Sequence, residues 1–118
     1  MKNSQFLQRM QFALAGIRSA FESEKSFRTQ VLAAVGVALV LIVLRPSALW
    51  CALLVGVSGL VLVTELVNTA IEHLADHLHP ERHPQIKIVK DCAAGAVLLA
   101  SLSALTIAAV FAYDYFVR

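Results

Sequence analysis

Charge is the first thing this chain lacks. Of 118 residues only 15% are charged, against about a quarter in an ordinary soluble domain, and 58% are hydrophobic. The mean hydropathy is +0.72, so a water-soluble globular fold is not expected. Two cysteines are too few for a disulfide scaffold, and five glycines and three prolines exclude collagen-like and low-complexity chains. Abundant apolar residues exclude intrinsic disorder. Cys51 and Cys92 each sit in an apolar run and read as small packing residues. A glycine-rich phosphate loop of the G-x-x-x-x-G-K type is also missing. What remains is a single small membrane domain, 1–118.

Three stretches carry no charge: Thr29 to Leu44, Pro46 to Thr64 and Cys92 to Tyr113. Each approaches the roughly 20 residues that a bilayer crossing requires. The first is short, and Arg28 and Arg45 can extend it by snorkelling toward the headgroups. An all-α membrane fold follows, with a surface helix over about 4–22 and spans over about 27–45, 48–78 and 91–115. Basic residues are lopsided around these spans. Lys2, Arg9, Arg18, Lys25 and Arg28 precede the first, and Arg82, Lys87 and Lys90 separate the second from the third. The positive-inside bias places the N-terminus and the 77–90 loop in the cytoplasm and the C-terminus outside.

The apolar stretch Phe12 to Ile17 is broken by Arg18 and followed by Glu22 and Glu24, so it is not read as a cleavable signal sequence. Phe6, Met10, Ala13, Ile17 and Phe21 recur at steps of three and four, with glutamines and arginines between them. Such a helix either lies along the membrane surface or packs on a partner helix. Arg45-Pro46-Ser47 makes the outer turn, and Trp50 anchors the return at the interface. Nothing marks a helix end between Leu49 and Leu78, which predicts one helix of about 30 residues, roughly 45 Å long. Pro80 and Pro84 end it, and Asp91 stands near the start of the third span, where the helix dipole favours a carboxylate. Small residues from Ala93 to Ala104 allow close helix contacts and suggest a homo-oligomer.

The chemistry concentrates in Glu65-Leu-Val-Asn68-Thr-Ala-Ile-Glu72-His-Leu-Ala-Asp76. Steps of three, four and four put Glu65, Asn68, Glu72 and Asp76 on one helical stripe about 16 Å long. Glu65 directly follows an uncharged span, where a carboxylate is costly unless it faces a partner or a water-filled site. A solvated face accounts for Asp76 and His73 but fits Glu65 and Asn68 poorly. Carboxylates with an amide suit a hard cation such as Mg²⁺, bound together with substrate phosphates. Lys90 and Asp91 return to the same level, and Glu22 or Glu24 can arrive from the N-terminal segment. His73, His77, His79 and His83 lack the zinc-protease pattern and read as surface histidines.

Four pieces, Gly16-Ile-Arg18, Glu24-x-x-Phe27-Arg28, Glu65-x-x-Asn68-Thr-Ala-Ile-Glu72-x-x-x-Asp76 and Lys90-Asp91-x-Ala-Ala-Gly-Ala-Val-Leu98, together resemble the prokaryotic diacylglycerol kinase family. These small membrane lipid kinases include the undecaprenol kinases. The resemblance covers nearly the whole chain. It implies a homotrimer in the bacterial inner membrane, with active sites shared between subunits, ATP as phosphoryl donor with Mg²⁺, a membrane lipid alcohol as acceptor, and no nucleic-acid partner. It further implies Glu65 as the catalytic base and as a substrate contact, Glu24 and Glu72 as metal ligands, and Arg18, Asn68, Glu72, Asp76, Lys90 and Asp91 around the nucleotide. Gln30 falls at a substrate-binding position where diacylglycerol-type members carry an acidic residue. That departure leaves phosphoryl transfer intact and the acceptor open, with diacylglycerol favoured over undecaprenol. Two remoter expectations are an ion conductor lined by Glu65, Asn68 and Glu72, and a membrane adaptor without enzymatic activity. Against the conductor, Pro46 to Thr64 contains no acidic residue to continue a path.

Overall fold

The computed structural model describes residues 2–118, with side chains from Ser4 onward. Lys2, counted in the charge asymmetry, therefore lies outside the described side chains. The chain is all helical: α1 (Lys2–Ser23), α2 (Lys25–Leu44), α3 (Ala48–Leu78) and α4 (Pro84–Ala112), followed by a π-helical turn, Tyr113–Val117. Three helices are long and apolar enough to cross a membrane: α2, α3 and α4 with its terminal turn. α3 packs chiefly on α4 and next on α2, and α1 rests against the other two faces of α2 and α3.

Each junction has a local cause. Glu24 is extended (φ −117°, ψ 112°) and separates α1 from α2. The Arg28 guanidinium reaches back to the carbonyls of Phe21 (2.8 Å) and Glu22 (3.0 Å), which would otherwise be left open at the end of α1. α2 ends at Arg45, whose left-handed backbone (φ 48°) carries the chain into Pro46. Ser47 caps α3 by accepting the Trp50 amide. From there α3 runs unbroken to Leu78.

The start of α4 differs from the reading above. Pro84 opens this helix instead of closing the loop, because proline suits the first helical position, where its missing N–H is not needed. His83 supplies the cap, its Nδ1 accepting the Gln85 amide at 3.1 Å. α4 thus begins seven residues before 91, and Asp91 lies two turns inside it, outside the reach of a helix-start dipole.

The core is small and sits at the end carrying the α2–α3 turn and the C-terminus, the turn end. Leu41, Leu54 and Phe111 are buried there with Trp50, Ile107 and Val37 around them. The opposite end carries the α3–α4 loop. Along α3 the buried positions from Leu54 through Val57, Val61 and Glu65 to Thr69 follow steps of three and four, and Ala75 is buried farther along. A carboxylate therefore occupies a packing position. On α1, Ala13, Gly16, Ile17 and Ala20 face Leu66, Ala70 and His73 of α3 across a cleft, while Phe6, Met10 and Phe21 stay exposed.

Candidate active site at the loop end

Glu65 is only 4% exposed, unusual for a carboxylate. Its Oε2 accepts a hydrogen bond from Ser26 Oγ at 3.3 Å, joining α3 to the first turn of α2. One turn farther toward the loop, Asn68 Nδ2 donates to Glu72 Oε1 at 3.2 Å. That bond uses the amide's donor and leaves Asn68 Oδ1 buried with no hydrogen-bond partner. A buried carbonyl oxygen without a donor is uncommon, since such groups are nearly always satisfied in folded proteins.

Toward the loop the side chains become exposed and pair by charge. Glu24 is free of any capping bond, and its Oε1 lies 3.4 Å from His73 Nε2, next in sequence to Glu72. Lys90 Nζ bonds Asp76, clamping α3 to α4 across the loop. Lys87 Nζ lies 2.6 Å from Asp91 Oδ2, one turn farther along α4. Lys87, Lys90 and Asp91, with Arg82 and Glu81 of the loop, line an open cavity of about 640 Å³ shared with Pro80, Pro84 and Ile86.

The stripe expected from the spacing thus grades from buried Glu65 through half-buried Asn68 and Glu72 to exposed Asp76. Lys90 and Asp91 both line the loop cavity. Two expected residues stand elsewhere. Arg18 makes its ion pair within α1, to Glu22 at 2.9 Å with both side chains exposed. Gln30 lines a different cleft between α2, α3 and α4, with Ser58 and Ser101. Among the described residues no three His, Cys, Asp or Glu side chains converge to hold a metal by themselves. His73 meets Glu24, and the rings of His79 and His83 in the loop lie with centroids 4.9 Å apart, tilted by 58°.

Sequence reasoning passed over Ser26, Lys87 and the His73 to Glu24 link. Only Lys87 had a visible signal, its four-residue spacing from Asp91. The other two are contacts between helices, which no local pattern encodes.

The model of the prokaryotic diacylglycerol kinase family matches residues 11–112, nearly the whole chain, from within α1 to the end of α4. The chain belongs to the prokaryotic diacylglycerol kinase family. It is thereby a membrane protein of the diacylglycerol kinase type of lipid kinase. Family relatives include a diacylglycerol kinase of Pseudomonas aeruginosa, 39% identical over 75% of this chain and 72% of its own length. A Synechocystis diacylglycerol kinase is also 39% identical, over 81% of this chain, but the match spans only 55% of that longer protein. The undecaprenol kinase of Bacillus subtilis is 35% identical over 70% of this chain and 67% of its own length. Both acceptor types thus occur among family members at similar distances from this sequence.

Proposed function

We propose that the protein transfers the γ-phosphoryl group of ATP, with Mg²⁺, to the hydroxyl of a membrane lipid alcohol, diacylglycerol in the first place. The observation that carries this reading is the buried carboxylate of Glu65, one turn from the unpartnered oxygen of Asn68 and two turns from the carboxylate of Glu72. An acidic side chain at a packing position is costly unless it works on a ligand. A lipid alcohol presents its hydroxyl at the headgroup boundary, the level expected for Glu65. ATP arrives from the cytoplasm, the side expected for the loop cavity.

In this mechanism the acceptor oxygen bonds to the γ-phosphorus as its proton passes to the Glu65 carboxylate, and the bond to the β-bridging oxygen breaks to release ADP. Lys90, freed from Asp76 when phosphates enter, neutralises charge on the transferring group. Asp76 and Asp91 hold the two cavity lysines in place and face the nucleotide. Arg18 and Gln30 are assigned to nucleotide and lipid respectively. For the metal the donor set is apt: Glu24, Glu72 and the open Asn68 oxygen are hard ligands, few enough that phosphate oxygens complete the sphere. Bound there, Mg²⁺ supplies charge neutralisation across the phosphates.

The same reading takes the protein as a homotrimer with shared sites, in the bacterial inner membrane, with α1 on the cytoplasmic surface and the C-terminus outside. Undecaprenol is the second acceptor, favoured by the Bacillus relative. The test offers γ-labelled ATP to detergent-purified protein with diacylglycerol or undecaprenol, with Mg²⁺ or with a chelator. Labelled phosphatidate that needs Mg²⁺ is the expected product; labelled undecaprenyl phosphate alone would reassign the acceptor. No label in either lipid, from a folded oligomer, would refute the kinase reading and favour a conductor or an adaptor.

A further inference from the structure

Ser26 is the one side chain that holds the buried carboxylate. Its hydroxyl donates to Glu65 Oε2, and among the described residues Glu65 makes no other side-chain hydrogen bond. Oε1 is left free. Two neighbours fix the position of Ser26. Phe27, 2% exposed, is buried beside it, and Arg28 is tied to two carbonyls of α1. The first turn of α2 therefore cannot rotate without unburying an aromatic ring or breaking both Arg28 bonds. That holds the Ser26 backbone within reach of Glu65.

We infer that Ser26 is a positioning residue that orients the Glu65 carboxylate, occupying Oε2 so that Oε1 faces the acceptor hydroxyl. This rests on the reading of Glu65 as the base. A carboxylate on two side-chain methylenes has several rotamers, and proton transfer needs one of its oxygens within about 2.6–3.2 Å of the acceptor. At 3.3 Å the Ser26 bond is longer than the 2.5–3.0 Å usual between oxygens. Such slack is ordinary in catalytic sites before substrates bind and tighten them. Ser26 touches no reacting atom, so its contribution lies in turnover and not in binding.

The experiment compares Ser26→Ala and Ser26→Thr with wild type by steady-state kinetics, varying ATP and lipid separately, with Glu65→Gln alongside. Loss of one hydrogen bond of orientation predicts a kcat about tenfold lower in Ser26→Ala with both KM values unchanged. Ser26→Thr, which keeps the hydroxyl, restores kcat to within about twofold. Unchanged kcat in Ser26→Ala, a rise confined to KM, or equal losses in the alanine and threonine variants would each overturn the inference. An active wild type with inactive Glu65→Gln sustains the base assignment whichever way Ser26 falls. A wild type that phosphorylates neither lipid overturns both.

Discussion

The two ends of the helical bundle are built on opposite principles. At the turn end polar groups are closed off by partners on other helices. Trp50 packs edge-on against Phe111, ring centroids 5.5 Å apart, and its indole N–H donates to Asp114 at 3.0 Å. Tyr115 reaches from the π-helical turn to the Leu44 carbonyl at 3.2 Å, satisfying an acceptor left at the end of α2. Leu41, Leu54 and Phe111 fill the space between. At the loop end burial is spent on a carboxylate and an amide, one of whose oxygens has no partner. Around them the charged pairs are exposed and exchangeable. One end completes itself, and the other leaves a buried amide oxygen unpartnered.

Substitutions at the two ends should separate along this line. Glu72→Gln removes the charge proposed to hold Mg²⁺ and should cost at least about 100-fold in turnover, with partial recovery when Mg²⁺ is raised, and no change in thermal stability. Magnesium titration of initial rates checks it. Phe111→Ala should do the reverse. Its stability loss is expected at about 2 kcal/mol, below the 3–5 kcal/mol of soluble cores because lipid solvates the lost apolar surface, with specific activity retained per folded molecule. Denaturation in mixed micelles with parallel assays measures both.

Lys90→Ala should raise the KM for ATP about tenfold and leave the KM for lipid unchanged, as expected for a residue on the nucleotide side. Equal rises in both would blur the division between lipid depth and loop cavity. Smallest is Asp114→Ala, which deprives the Trp50 indole of its acceptor and should cost about 1 kcal/mol of stability without altering either KM. An Asp114 variant with impaired turnover would show that the ends are not independent.

Much of this was legible in the sequence, for definable reasons. α3 could be read from Ala48 to Leu78 because no glycine cluster or proline interrupts it, and Glu65 stood out because it follows an uncharged stretch. The stripe of Asn68, Glu72 and Asp76 follows from helical spacing alone. Pro84 misled because proline next to a helix end and proline at a helix start look alike in sequence; only the His83 cap decides between them. The π-helical turn at Tyr113 was hidden, since it depends on Asp114 and Tyr115 finding Trp50 and Leu44, 64 and 71 residues away along the chain. Gln30 entered only through the family resemblance, and the cleft it lines was not legible, because three helices make it together.

The most direct measurement of the central claim, that the buried carboxylate at the loop end performs the chemistry, is transfer of labelled phosphate from γ-labelled ATP to diacylglycerol by wild type and Glu65→Gln at equal folded concentration. The account predicts Mg²⁺-dependent labelling by the wild type and a rate at least about 1,000-fold lower in Glu65→Gln, with unchanged melting and oligomer size. Comparable rates from the two proteins would contradict it and move the base to another residue.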